Sequence, residues 1–372
     1  MNDQERAQHS VQEQLNSGIS YNPKAGIQKQ MDADGFWPAN VRELYDGPVA
    51  YMGAEHSRTG ESRLYQWTAT RGVWWIPRPT GNEPVPPPDP PKDESKARIG
   101  LHATSNGGGY SGADYGEFAD LEPSVIKVMT NHDEYSIRKL SGQHPGVSWI
   151  VRVFYSTGGR AITPAKFFTE TISDTKRTLA AIGSSKVVVE LHNEPNLVGE
   201  GMFMGKWTAP SGETQAGWCG GDQFNDWYLT LLGMYRSVLP GVKFIFPGLS
   251  PGATIDGIRL NSWRFAEQCK SAIYASDGMG VHTYWAGDNT DKAMSVVDWF
   301  RGNFPMVPIW ITEASNNKPW GAAEKAQQYA DFWKRLRERS QVKGITYFVV
   351  SGAYPDEVWA GNEIGRMTRA AI

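Results

Sequence analysis

A chain of 372 residues with 40% apolar content is long enough for one large domain plus a smaller one, and its formal net charge of −3 gives no basis for nucleic acid or an anionic membrane as partner. It contains no run of about 18 apolar residues, so no membrane span is expected. Two cysteines, Cys219 and Cys269, make neither a disulfide framework nor a cysteine-rich zinc site; buried thiols or a single bridge remain the open readings.

The first six residues, Met1-Asn2-Asp3-Gln4-Glu5-Arg6, are polar and do not read as a secretion signal. Location is therefore unknown: cytoplasmic by default, with extracellular action left open. Residues 1–30 are rich in Gln and read as a helix or a disordered arm. Ser62-Arg63-Leu64-Tyr65-Gln66-Trp67-Thr68-Ala69-Thr70, then Arg71-Gly72 and Val73-Trp74-Trp75-Ile76, read as an aromatic β-hairpin. Next comes Pro84-Val85-Pro86-Pro87-Pro88-Asp89-Pro90-Pro91, which predicts an extended polyproline linker. The expected organisation is an N-terminal arm and small β unit over 1–76, a linker over 77–97, and a large domain over 98–372.

From residue 99 onward, strand and helix patterns alternate. Strands are expected near 99–103, 125–129, 147–155, 187–191, 243–246, 280–285, 308–313 and 345–350. Thr163 predicts a helix cap with Pro164 at the first turn and Gly183 at the end. Phe224, Trp227, Tyr228, Leu231, Leu232 and Tyr235 share one helical face. Eight strands separated by helices fit an α/β fold of the (β/α)8 TIM-barrel class. A doubly wound sheet has the same alternation. The barrel is preferred because polar residues gather at strand ends: His102, His192, Asn193, Glu194, His282, Tyr284 and Glu313.

Two of these ends carry the chemistry. Val187-Val188-Val189-Glu190-Leu191-His192-Asn193-Glu194-Pro195 is a stiff β-branched strand that ends in a carboxylate, and Pro195 predicts extended geometry at Glu194. Pro308-Ile309-Trp310-Ile311-Thr312-Glu313 is a second apolar run ending in glutamate. In a parallel barrel such ends face one pocket. Two glutamates across a pocket are the apparatus of glycoside hydrolysis. Glu190, deeper on its strand, reads as a structural ion-pair or hydrogen-bonding group. Histidine spacing gives no metal motif, and neither a metal nor a cofactor is expected. The 15 tryptophans divide between core filling and sugar stacking; Trp285, at a strand end, and His102 are assigned to substrate binding.

Asn193-Glu194-Pro195, the His282-Thr283-Tyr284 strand and Glu313 together resemble the retaining glycoside hydrolases of clan A, over residues 99–352 in strand order. The resemblance implies that Glu194 is the acid/base and Glu313 the nucleophile. It implies that Asn193 binds the sugar 2-hydroxyl, that Tyr284 orients Glu313, and that His282 supports Tyr284 or lines the site. It further implies a β-linked oligosaccharide or polysaccharide substrate and carboxyl groups about 5–5.5 Å apart. Two positions depart from the family. The arginine that braces the nucleophile from strand two is replaced by Lys127, with Arg152 the nearest arginine in an equivalent setting. The tryptophan of strand eight is missing, with Trp359 in the following loop as the candidate substitute. These departures keep a second reading open: a non-catalytic carbohydrate-binding or cell-surface adhesion protein on a barrel scaffold.

Overall fold

The computed structural model describes residues 36–38, 49–56, 62–68, 72–78, 97–157, 162–202 and 217–372. The chain divides into two compact units, Met1–Pro90 and Pro91–Ile372. In the first, β1 (Phe36–Pro38), β2 (Val49–His56), β3 (Ser62–Thr68) and β4 (Gly72–Arg78) form an antiparallel sheet in that order. The expected hairpin is β3–β4. The first two strands were not anticipated, and β4 runs to Arg78, past the expected linker start. The Gln-rich arm and the polyproline segment lie outside the described residues.

The second unit is a (β/α)8 barrel. Its strands are β5 (Arg98–His102), β6 (Val125–Met129), β7 (Ser148–Val153), β8 (Val187–Leu191), β9 (Lys243–Ile245), β10 (Met279–Trp285), β11 (Ile309–Asn316) and β12 (Val342–Tyr347). Every neighbouring pair is parallel, and β12 pairs with β5. A Phe246–Met279 bridge closes the cycle between β9 and β10. The surrounding helices are α1 (Gly112–Leu121), α2 (Glu134–Gln143), α3 (Pro164–Ile182), α4 (Gly221–Val238), α5 (Ser262–Gln268), α6 (Lys270–Ala275), α7 (Thr290–Asn303), α8 (Ala322–Leu336) and α9 (Ile364–Ala371).

Local rules account for the ends of these elements. The Thr163 hydroxyl accepts from the Lys166 amide, Pro164 opens α3, and Gly183 closes it with φ +65°. Asp133 caps α2 by accepting from the Ser136 amide.

Side chains inside the barrel stack in layers. Val125, Ile150, Val188, Ile245 and Trp310 make an apolar plug at the N-terminal end. The layer above it is polar and fully buried: Lys127, Glu190 and Thr312. Strand alternation carries each chain from the plug to this layer in two residues. The pairing register shifts between Val281 and His282, where β10 faces β11, so that His282 pairs with Glu313 rather than Thr312. A bulge of this kind lets consecutive residues address the same side. Thr312 bonds to Glu190 in the interior, and Glu313 also turns inward.

Candidate active site

The site opens at the C-terminal ends of the barrel strands, in a cavity of about 930 Å³ whose lining includes Arg152, Asn193, Glu194, Tyr284 and Glu313. Glu313 is its best-held group. One carboxylate oxygen, Oε1, accepts from Lys127 Nζ at 3.0 Å and lies 3.8 Å from both Arg152 and His102. The other, Oε2, accepts from the Tyr284 hydroxyl at 2.7 Å and lies 3.6 Å from His282 Nδ1. Burial pushes the Glu313 carboxyl up, but the charges of His282 and Lys127 outweigh it and hold the group well below the usual carboxylate range. Burial and the Glu313 charge push the Tyr284 phenol up, so it stays a donor.

Lys127 serves two carboxylates. Its ammonium also lies 2.8 Å from Glu190 Oε2, with both side chains out of solvent. Glu190 Oε1 accepts from Thr312 Oγ1 at 2.7 Å and from the Gly248 amide at 3.0 Å. Burial opposes ionisation of Glu190, yet the Lys127 charge brings its pKa down. The expected structural ion pair is therefore present, and through Lys127 it reaches Glu313. A lone lysine in the otherwise apolar strand Val-Ile-Lys-Val-Met had to find a buried anion, and this was the sequence signal for its role.

Glu194 sits beyond β8 on a turn. Pro195 argued for extended backbone, but Glu194 has φ +35°, in the left-handed region. Its amide donates to Gly248 O, its carbonyl accepts from the Leu197 amide, and Trp218 Nε1 donates to Pro195 O at 2.6 Å. Those tertiary bonds offset a backbone cost of roughly 1–3 kcal/mol. Glu194 Oε1 lies 2.8 Å from His282 Nδ1. Burial lowers the His282 pKa, but Glu313 and Glu194 raise it further, for a net upward shift. One atom from each of Glu194, His282 and Glu313 lies within 4.8 Å of the other two. A divalent cation fits that donor set geometrically, and the Lys127 ammonium on Glu313 opposes it electrostatically.

The other expected site residues divide. Asn193 lines the cavity and donates to Glu200 Oε1 at 3.0 Å. Arg152 reaches the same Glu200 oxygen at 3.7 Å. His102 is fully buried beside Glu313; burial and Lys127 press its pKa well down, so it is neutral there. His192 leaves the site. It is enclosed by Phe167, Trp218, Phe224 and Trp227, and burial brings its pKa down to about 3.

Trp285 also turns away from the pocket. Its indole donates to Gln328 on α8 and packs on Tyr329 and Phe332, with 2% exposure. Alternation could have given this result, because Tyr284 and Trp285 are adjacent and Tyr284 faces in. Trp359 is likewise core, stacked on Tyr329 and Tyr347. At the strand-eight lip the cavity is lined instead by Phe348, Tyr354 and Glu357. Trp263 also lines the cavity, 42% exposed and backed by Trp299 at 5.3 Å with a 12° interplanar angle. Glu200, Trp263 and Glu357 lie on loops and helix starts, where sequence period carries no directional information.

Residues 234–366 match the family model for the glycosyl hydrolase catalytic core. The segment contains His282, Tyr284, Glu313 and Glu357, and on this match the barrel is that of a glycosidase. No curated protein sequence matches the chain. Among solved structures, a GH128 subgroup II endo-β-1,3-glucanase from Sorangium cellulosum is similar, with 16% identity and a TM-score of 0.51 over 74% of this chain and 99% of that one. A GH128 subgroup IV endo-β-1,3-glucanase from Lentinula edodes has 15% identity and a TM-score of 0.43 over 74% and 99%. A β-glucuronidase from Bacteroides uniformis has 11% identity and a TM-score of 0.47 over 78% and 35%. The first of these likenesses bears on the fold alone.

Proposed function

We propose that this protein is a retaining glycoside hydrolase that cleaves a β-linked glycan by double displacement. One observation carries the reading. Carboxylate oxygens of Glu194 and Glu313, reaching in from strands four and seven, lie within 4.8 Å of each other and of His282. Retaining enzymes hold their two carboxyl groups about 5–5.5 Å apart, whereas inverting enzymes need about 6.5–9.5 Å for an intervening water.

The assigned roles follow from the electrostatics. Glu313, ionised among Lys127, His282 and Arg152, attacks the anomeric carbon. Glu194, more open to solvent than Glu313, protonates the leaving oxygen and then takes a proton from the incoming water. His282 Nδ1 touches Glu194 and lies near Glu313, so it senses the charge of both as the proton moves. Asn193, oriented by Glu200, is placed to meet the sugar 2-hydroxyl. A β-glucan substrate is proposed from the activity of the similar GH128 subgroup II endo-β-1,3-glucanase, and the cavity mouth with Trp263 suits a glycan chain.

The test is intact-protein mass spectrometry after incubation with activated 2-deoxy-2-fluoro β-glycosides. A glycosyl adduct mapped to Glu313 is expected. An adduct on another residue refutes the role assignment. No adduct with any sugar, in protein that still binds glycan, refutes double displacement.

A further inference from the structure

A fourth carboxyl group in the cavity, besides Glu194, Glu200 and Glu313, has no task in the mechanism above. Glu357 ends the short 3₁₀ turn Pro355–Glu357 after β12. Its backbone is clamped: the amide donates to Tyr354 O and the carbonyl accepts from the Val349 amide. The side chain lines the same cavity as Glu194, Tyr284 and Glu313, and the residue is 9% exposed. Among the described residues its carboxyl has no hydrogen-bond or ion-pair partner. Lys325, the cation of the adjacent helix, instead donates to the carbonyls of Asn316 and Asp356.

We propose that Glu357 is a substrate-binding residue: its carboxylic acid donates a hydrogen bond to a hydroxyl of the sugar held against Glu313. The proposal rests on the glycosidase reading and adds to it. Its carboxyl oxygens are not sealed from solvent; they face the cavity, where a sugar hydroxyl can meet them. The surroundings choose the protonated form. Glu357 faces Glu313 on β11, Glu194 beyond β8, Tyr284 on β10, Lys325 and Tyr329 on α8, and Asp356 in its own turn. Burial and the Glu313 charge raise its pKa to about 7, Lys325 notwithstanding. Below that pH the group offers one O–H donor; above it the donor is lost and an anion stands near the nucleophile.

The test uses 2,4-dinitrophenyl β-glucoside, whose leaving group needs no proton, so ionisation of Glu194 is silent on glycosylation. Wild-type kcat/KM is expected to fall above pH 7 and to level off about 3- to 10-fold below its value at pH 6. Glu357→Gln, which keeps an N–H donor but cannot ionise, is expected to lose the alkaline fall, whatever its level at pH 6. Glu357→Ala is expected to lose about 3- to 10-fold at pH 6, mostly in KM. A flat wild-type profile, or the same fall in Glu357→Gln, overturns the assignment while leaving Glu313 labelling intact. If wild-type protein neither turns over nor is labelled, double displacement fails, and affinity for laminaritriose decides the role of Glu357. Binding that weakens above pH 7 in wild type but not in Glu357→Gln supports it; parallel pH dependence overturns it.

Discussion

Replacing Lys127 by Met tests the buried charge network directly. The ammonium lies 2.8 Å from Glu190 and 3.0 Å from Glu313, and both lysine and Glu190 side chains are sealed from water. Methionine keeps most of the volume and removes the charge. Two buried carboxylates then lose their shared cation, and breaking a buried pair costs about 3–5 kcal/mol. At about 2–4 °C per kcal/mol for a domain of this size, Tm at pH 7 should drop roughly 6–20 °C. The pH dependence separates charge from packing. Both glutamates titrate below their ordinary values in the folded protein, so their stabilisation is complete above the unfolded carboxylate pKa. It is lost as pH falls through the folded values. Without Lys127 both carboxyls rise, so the gap between variant and wild type should be widest near neutral pH and narrow on acidification. Adding Glu190→Gln to Lys127→Met should restore part of the loss, because one uncompensated charge goes. Urea or thermal unfolding at pH 7 and pH 4 reads all three. A Tm loss below about 2 °C, or a gap that does not change with pH, refutes the reasoning.

Glu194→Gln should lower kcat/KM for unactivated glycans by about 10²–10⁴-fold and spare dinitrophenyl glycosides, as steady-state kinetics on both substrates will show. Tyr284→Phe removes a hydrogen bond to a charged oxygen, so kcat/KM should fall by about 10- to 100-fold while labelling of Glu313 still occurs. Gly248→Ala would place a Cβ 2.1 Å from His282 Cδ2, so the imidazole must move. Overpacking of this kind costs about 1–3 kcal/mol, read as a lower Tm, and the pH–rate profile should shift with the displaced His282.

How far the sequence reached can be argued residue by residue. Glu194 and Glu313 were legible because each closes an apolar run at a strand end. Tyr284 and His282 share a face by alternation; Tyr284 meets Glu313 and His282 meets Glu194. Glu190 was legible as structural because it lies too deep for solvent. The α3 boundaries followed from Thr163, Pro164 and Gly183 alone, since caps are local chemistry.

Other features required the closed barrel. Pro195 favours extended backbone at Glu194, but long-range bonds from Trp218 and to Gly248 hold it left-handed. Strict alternation would have set Glu313 opposite Thr312; the register shift against β10 turns both inward. Lys127 read as a departure from a family pattern until the barrel brought it, across 186 residues of sequence, onto Glu313. Trp285 read as a substrate-binding residue and Trp359 as a substitute for the missing strand-eight tryptophan, but packing against α8 claimed both. Glu357 carries no sequence signal, because a loop residue has no period and its neighbours come from other strands. The sequence by itself therefore determined the strand–helix alternation and the two carboxylates, which depend on local pattern. Tertiary structure alone decided which way each side chain faces and which charges meet, because those depend on closing the sheet.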